Sequence, residues 1–109
     1  MMEDNSKNPG LKSIADLDRV IHEPSRLMII ALLYVIESGD FTFLMQQTGL
    51  TWGNLSSHMS KLEMAGYVEV EKEFVNRKPR TMLRLTNDGR LAFQNYREQM
   101  QIFFEDFPE

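Results

Sequence analysis

Apolar residues recur at helical spacing in the first third of the chain. The earliest set predicts an amphipathic helix and comprises Leu11, Ile14, Leu17 and Ile21. Pro24 suits the first position of a second helix, and the nearly continuous apolar run over residues 27–36 indicates that this helix is buried centrally. Gly39 is expected to end it in the left-handed conformation. Residues 1–10 show no period and contain a Pro-Gly pair, so we predict a disordered lead-in.

The middle of the chain predicts two helices in close succession, residues 42–48 and 51–65. Thr51 is the expected N-cap of the second helix, because its hydroxyl can accept from a backbone amide near Asn54. The buried stripe of this helix consists of Leu55, Met59 and Leu62. Two helices joined by a short turn that contains glycine form a helix-turn-helix.

Beyond this motif the apolar period shortens to two, which indicates β-strands. Two alternating stretches lie on either side of a predicted turn at residues 76–79. The register that faces apolar side chains with each other places Val70 opposite Leu85 and Glu71 opposite Arg84. The sequence therefore predicts a β-hairpin, and the fold class is mainly α with a small hairpin (α+β).

A last helix is predicted over about residues 87–107, with Thr86 as its N-cap. Its apolar side consists of Leu91, Tyr96, Met100, Phe103, Phe104 and Phe107. The second half of this helix extends past the compact body, and a monomer would leave aromatic surface in water, which is typical of an interface. We therefore expect a homodimer, in which the first helix packs against the last from either protomer through Leu11, Ile14 and Leu17. Residues 11–109 are predicted to be one domain that includes this dimerisation helix.

Length and composition favour a small protein of the cytoplasm. The chain has 109 residues, the usual size of one domain, and it contains no cysteine. The polar start does not resemble a signal peptide, and the longest apolar run is about half of what a membrane span needs. We therefore expect a soluble, cytoplasmic protein with no membrane partner.

The charge is unevenly distributed along the chain. The formal net charge is −4, whereas a DNA-binding domain is often basic. Residues 51–85 nevertheless carry six basic and four acidic residues, and residues 76–84 carry four basic residues and no acid. One positive segment on an otherwise negative protein would orient that segment toward a polyanion.

The outward face of the predicted helix 51–65 carries unusually small polar residues. They are Asn54, Ser56, Ser57, Ser60 and Lys61, with Thr51 at the start of the helix. Solvated helix faces usually carry the better helix formers Glu, Lys, Gln and Arg. Small polar residues instead let a helix approach a DNA groove and donate to phosphates or base edges. The alternative is a merely polar surface, and Trp52 could contact the sugar-phosphate backbone or pack on Phe41.

Arg77, Lys78 and Arg80 crowd around the tip of the predicted hairpin. Cationic side chains on a projecting loop can reach phosphates or lie in a minor groove. The alternative is that the charges only keep the hairpin soluble. The position directly after a recognition-type helix favours a role in DNA binding.

Three motifs follow one another in the second half of the chain: LTWGNLSSHMSKLEMAGYVEVEK, RKPRT and LRLTNDGRLAF. Together they resemble winged helix-turn-helix transcription regulators of the MarR and ArsR kind, in particular the short single-domain prokaryotic group. The resemblance implies a homodimer, a recognition helix in the major groove and a wing, residues 76–80, on the flanking backbone or minor groove. Matched position by position, the residues expected at the groove are Asn54, Ser56, Ser57, Ser60 and Lys61, and those of the wing are Arg77, Lys78 and Arg80.

The chain departs from the sensory members of these families. ArsR-type metal sensors use cysteines or clusters of histidine and carboxylate, whereas this chain has only His22 and His58, so we predict no metal and no cofactor. His58 is expected to be packed or to touch a phosphate. MarR-type members often bind aromatic ligands, and the eight methionines, seven phenylalanines and three tyrosines could line a pocket or serve as ordinary core. The sequence leaves room for a small-molecule effector but does not support one.

Catalysis is not predicted, because the chain has no cysteine nucleophile, glycine-rich phosphate loop or histidine–carboxylate spacing of a metal hydrolase. The sequence thus favours a regulator that binds specific double-stranded DNA as a homodimer. The alternative is a winged helix that serves as a protein–protein interaction module of a larger complex, which the net acidity favours slightly.

Overall fold

The computed structural model describes residues 8–107, which form five helices and a three-stranded antiparallel sheet of order β1-β3-β2. This arrangement confirms the predicted α+β class. The elements are α1 (Pro9–Ala15), α2 (Pro24–Ile36), β1 (Ser38–Asp40), α3 (Phe41–Thr48), α4 (Trp52–Met64), β2 (Val68–Val75), β3 (Lys78–Leu85) and α5 (Asn87–Glu105).

The main core lies between α2, α3, α4 and one face of the sheet. Its buried side chains are Ile29, Ile30, Leu33, Leu44, Leu55, Leu62, Val68, Leu83 and Leu85. Helix α2 begins at Pro24 as predicted, and the Glu23 side chain caps it by accepting from the amide of Arg26. The expected central burial of α2 holds for one side only, since Ile29, Ile30 and Leu33 are buried whereas Met28 is exposed and Val35 is 78% exposed. One side of this apolar helix therefore stays uncovered within the protomer.

Helix α1 is shorter than the apolar spacing predicted. It ends at Ala15, and Leu17 and Ile21 lie in the following loop although both are buried. Beyond the end of α1, Asp18 Oδ1 accepts from the amides of Val20 (2.8 Å) and Ile21 (3.3 Å), which makes a local turn in place of further helix. The loop still buries its apolar side chains at nearly the predicted positions.

The boundary of the predicted lead-in was also misplaced. Residues 1–7 lie outside the described residues, but Pro9 and Gly10 belong to α1. Proline is preorganised for the first helical turn, and the buried Gly10 donates its amide to Asp106 Oδ2 (3.2 Å). This contact holds α1 against the C-terminal end of α5.

A second core joins the loop after α1 to α5. Leu17, Ile21 and Tyr96 are buried together, with Ile14 and Met100 packed around them. The Tyr96 hydroxyl lies 3.0 Å from His22 Nδ1, and burial raises the pKa of Tyr96. Helix α1 and α5 thus pack within one protomer.

The end of α2 differs from the prediction. The residue in the positive-φ region is Glu37 (φ 70°), and Gly39 lies buried in β1. A Cβ at Gly39 would come within 3.2 Å of Ile36 Cδ1, so a side chain there would require the Ile36 side chain to shift. Strand β1 was not predicted, and it pairs with β3 from Ser38 opposite Arg84 to Asp40 opposite Met82.

The hairpin register is shifted by two residues from the prediction. Val70 lies opposite Leu83, and Arg84 lies opposite Glu69. The turn contains only Asn76 and Arg77, both with positive φ, instead of the four predicted residues. A shift by two keeps every side chain on its predicted face, and Arg84 still reaches Glu71 (3.0 Å).

The start of α5 is held close to the loop after α4. Thr86 caps the helix by accepting from the amide of Gly89 (2.9 Å), as predicted, and its hydroxyl donates to the carbonyl oxygen of Gly66 (2.6 Å). A side chain at Gly89 would collide with the backbone carbonyl of Tyr67. The prediction that Leu91 belongs to the apolar side of α5 was wrong, because Leu91 lies on the opposite side of the helix and is 58% exposed.

Candidate nucleic-acid interface

Helix α4 is fixed at its N-terminus and along one face. The Thr51 hydroxyl accepts from the amide of Asn54 (3.2 Å), which confirms the predicted N-cap. Leu55 and Leu62 are fully buried in the main core, and Met59 packs against it. The opposite face of α4 is therefore held at a defined orientation on the surface.

That opposite face, which we call the reading face, carries the predicted small polar residues. Thr51, Asn54, Ser57, Ser60 and Lys61 are exposed. Ser56 is only half-buried and turns toward the hairpin. Met64 extends the exposed surface at the C-terminal end of the helix.

The wing tip, which we define as residues 76–78, projects cations from a tight turn. Arg77 and Lys78 are both exposed. Asn76 and Arg77 have φ angles of 53° and 67°, which makes the turn sharp and aligns the two strands up to its ends. Among residues 8–107 neither Arg77 nor Lys78 forms an ion pair.

Arg80 differs from its two neighbours. Its Nε lies 3.2 Å from a carboxylate oxygen of Glu73 and 3.9 Å from one of Asp40. Asp40 also caps α3 by accepting from the amide of Phe43 (2.7 Å). Arg80 therefore connects the wing to the start of α3, and it is less available to an external anion than Arg77 or Lys78.

A cleft of about 660 Å³ separates the N-terminal half of α4 from the wing. Its α-helical side includes Trp52 and Ser56, and its sheet side includes Lys72 and Lys78. Lys72 was not predicted as a site residue, although a lysine at a core-facing position of an alternating strand was a signal. The cleft combines cations, a hydroxyl and an aromatic ring in one groove beside the reading face.

Trp52 borders this cleft at the first turn of α4. Its ring packs on Phe41, with centroids 5.7 Å apart and planes tilted by 50°. The indole nevertheless remains 66% exposed. Of the two predicted roles, the packing on Phe41 is confirmed, and the exposed part of the ring is free to meet a sugar-phosphate strand.

His58 lies on α4 beside the reading face and is packed, as predicted. Its Nδ1 is 3.2 Å from Arg26 Nη1 and 3.9 Å from a Glu23 oxygen. The hydrogen bond from the Arg26 amide lowers the pKa of the Glu23 carboxyl. His22 lies elsewhere, against Tyr96, and residues 8–107 contain no group of three or more potential metal ligands.

The residues predicted for dimerisation fall into two groups. Leu17 and Tyr96 are buried within the protomer, and Ile14, Met100 and Phe103 are half-buried there. Leu11, Phe104 and Phe107 are exposed. The first group packs mainly within one protomer, so the second group offers the larger exposed surface to a partner.

A groove of about 600 Å³ lies between α2 and α5 next to these exposed residues. Leu27 and Ala31 line it from α2, and Met100 and Phe104 line it from α5. The α2 residues were not predicted at an interface, because a continuous apolar run gives no indication of which side stays uncovered. The helices in the described part of the chain are too short or too polar to cross a membrane.

A family model described as a winged helix DNA-binding domain matches residues 25–104. An uncharacterized protein of Methanocaldococcus jannaschii is 40% identical over 78 residues, which cover 72% of this chain and 85% of the relative. A transcriptional regulator homologue from Pyrococcus horikoshii OT3 superimposes with a TM-score of 0.77 at 29% identity, over 84% of this chain and 90% of the other.

More distant structures share the fold. NadR in complex with 4-hydroxyphenylacetate matches at 24% identity with a TM-score of 0.67, over 88% of this chain and 67% of NadR. Overoxidized AbfR bound to DNA matches at 15% identity with a TM-score of 0.71, over 90% of this chain and 69% of AbfR.

Proposed function

Because the chain belongs to the winged helix DNA-binding domain family, we propose that it is a transcription regulator that binds specific duplex DNA as a homodimer. Helix α4 enters the major groove with its reading face toward the base edges. The wing lies on the flanking backbone or in the adjacent minor groove. The residues that contact DNA are Thr51, Asn54, Ser56, Ser57, Ser60, Lys61, Arg77 and Lys78.

The observation that carries this proposal is the exposure of the small polar face of α4 opposite two fully buried leucines. Leu55 and Leu62 anchor the helix, so the orientation of Asn54, Ser57 and Ser60 is set before DNA arrives. Side chains this short keep the helix axis close to the floor of a groove and present hydroxyl and amide groups to base edges. A preorganised face loses little conformational entropy on binding.

The wing supplies the part of the affinity that does not depend on sequence. Lys72 and Lys78 line the cleft beside the first turns of α4, and Arg77 adds a second cation at the wing tip. Cations beside a groove-reading helix contact phosphates and so fix the register of the protein on the duplex. In this scheme Arg80 orients the wing through Glu73 and Asp40, which revises its predicted role as a phosphate contact.

A second copy of the chain covers the groove between α2 and α5 in this proposal. Leu27, Ala31 and Phe104 would then leave water, together with the exposed side of α2 around Val35. Exposed apolar surface continuous over two helices is characteristic of protein interfaces. We include α1 and α5 in the same domain as the winged helix, because they share the second core around Tyr96.

The proposed dimer predicts the symmetry and half-site spacing of its operator. Two recognition helices related by a two-fold axis read two half-sites in opposite orientation. The operator should therefore be roughly palindromic, with half-site centres about one helical turn apart. Selection of bound sequences from random duplex DNA measures both properties directly.

A salt titration separates this function from that of a winged helix that contacts another protein. Binding to random duplex DNA should weaken steeply as salt rises, because each neutralised phosphate releases counterions. The logarithm of the affinity should fall linearly with the logarithm of the salt concentration, at about 0.9 per phosphate contact. Absence of DNA binding at low salt would contradict the proposal and favour the alternative function, a protein–protein interaction module.

A further inference from the structure

A second positive patch lies at the end of α4 that is remote from the wing. Arg19 and Lys61 line one shallow depression of about 370 Å³, together with Val20, Met64 and Ala65. Both cations are exposed, and within residues 8–107 neither forms an ion pair. The patch therefore combines a cation of α4 with one from the loop that connects α1 to α2.

This loop is held firmly against α4 by Arg26. The Arg26 guanidinium donates from Nε to the carbonyl oxygen of Val20 (2.6 Å) and from Nη2 to that of Arg19 (3.4 Å). Its Nη1 lies 3.2 Å from Nδ1 of His58, which belongs to α4. Asp18 fixes the same loop from within by accepting from two backbone amides and from the hydroxyl of Tyr67.

The backbone carbonyl of Arg19 takes part in these hydrogen bonds, whereas its side chain does not. The nearby carboxylates are engaged, since Asp18 accepts from Tyr67 and Glu23 accepts from the Arg26 amide. Because the loop backbone is already fixed beside a second cation, only side-chain entropy of Arg19 and Lys61 is lost when they meet an anion. The geometry is that of a prepared phosphate contact.

We propose that Arg19 and Lys61 form a second phosphate clamp on DNA, opposite to the wing. The proposal rests on the proposed function, because it requires α4 in a major groove. Helix α4 has 13 residues, and at about 1.5 Å per residue its ends are about 20 Å apart. The major groove is about 12 Å wide, so a helix that crosses it at an angle brings its two ends near the phosphates of its two walls. The wing meets one wall and the Arg19–Lys61 clamp meets the other.

The test replaces Arg19 by Gln and measures affinity for random-sequence duplex DNA against salt concentration. One phosphate contact per protomer contributes about 0.9 to the slope, so the slope of a dimer should fall by about two. At about 0.15 M salt the affinity should fall about five-fold per protomer, equally for random and selected DNA. Arg19→Lys should restore most of the slope, because the contact is to a phosphate charge.

Lys12→Gln is the matched control. It removes one positive charge from α1, which packs on α5. Lys12 is exposed, and its ion pair within the described residues is with Asp16, four positions along α1 (3.1 Å). This variant should keep the wild-type slope. Thermal unfolding of Arg19→Gln should match the wild type, since only an exposed side chain is changed.

The outcomes are distinguishable. An Arg19→Gln slope equal to that of the wild type overturns the second clamp, even if the affinity has fallen, and it leaves the proposed function intact. An equal loss of slope in Lys12→Gln also overturns it, because the effect would then be one of net charge. If the wild type itself shows no salt-dependent DNA binding, the proposed function fails and the clamp fails with it.

Discussion

The wing offers the sharpest quantitative prediction, because its three cations differ in their surroundings. Arg77 and Lys78 project from the wing tip, whereas Arg80 is paired with Glu73 and Asp40. The perturbation is Arg77→Asn combined with Lys78→Gln. Asparagine is chosen because position 77 has a φ of 67°, a conformation that asparagine tolerates well, so the turn should be preserved.

The magnitude follows from the number of free cations. Two lost phosphate contacts reduce the salt slope by about 1.8 per protomer and about 3.6 per dimer. At about 0.15 M salt this corresponds to a loss of affinity of about 30-fold per protomer. Random and selected DNA should lose the same factor, since phosphate contacts carry little sequence information.

Arg80→Gln is the matched variant within the same wing. It removes one positive charge, but this charge is already offset by two carboxylates within 4.0 Å, so the slope should fall by less than about half a unit. The structural cost is expected to be at most about 1 kcal/mol, because exposed ion pairs contribute little to stability. Glu73→Gln should have the opposite effect on DNA binding, since it frees Arg80 from its nearer partner.

The assay is fluorescence anisotropy with a labelled duplex at four or more salt concentrations. If Arg80→Gln lowers the slope as much as loss of either tip cation, the ion pairs do not persist in the complex and the argument from the free structure is wrong. If the tip variant changes the preference between sequences at an unchanged slope, the wing reads bases instead of holding phosphates.

Three further predictions concern the other surfaces. In a gel-shift assay, the double variant Ser57→Glu and Ser60→Glu should bind its specific DNA at least about 100-fold more weakly, because two anions then face base acceptors and phosphates. The control is the double variant Asn87→Glu and Asn95→Glu, which makes the same charge change at exposed positions of α5 and should bind like the wild type in the same assay. Phe104→Asp should raise the dimer dissociation constant about 100-fold, since the ring is 62% exposed in the protomer and its burial would contribute about 3 kcal/mol. Leu91→Asp, a change at a similarly exposed residue on the other side of α5, should leave the sedimentation profile unchanged, and equal effects of the two would exclude the α2–α5 groove as the interface. Trp52 is the only tryptophan of the chain, so its emission should change when duplex DNA fills the cleft beside it, and an unchanged spectrum at saturating DNA would place the strand elsewhere.

Helix α4 with its polar face and the β-hairpin could be predicted from the sequence because their signals are local. Thr51 caps an amide three residues away, and the apolar stripe of α4 repeats within one helix. The alternation of the hairpin likewise identifies which side chains share a face, and a register error of two residues does not change that face. The candidate reading face and the wing tip therefore follow from spacing alone.

Features that depend on distant residues could not be predicted in this way. Strand β1 has only three residues and exists because β3 accepts it as a neighbour. Leu17 and Ile21 keep a helical spacing although the Asp18 turn has ended α1, because a loop can bury side chains at the same intervals. Periodicity reports which residues are buried, and here it did not distinguish a helix from a folded loop.

The ion pairs of the candidate site also depend on residues that are distant along the chain. Arg77 and Arg80 look equivalent in the sequence, but only folding brings Arg80 to Glu73 across the hairpin and to Asp40 at the end of β1. Arg19 and Lys61 lie 42 positions apart, and only the packing of the α1–α2 loop on α4 makes them line one surface. The small polar face of α4 could be identified from the sequence, since that pattern depends on residues within one or two helical turns. Which cations are held in ion pairs follows only from the fold, because an ion pair depends on distance in space and not on distance along the chain.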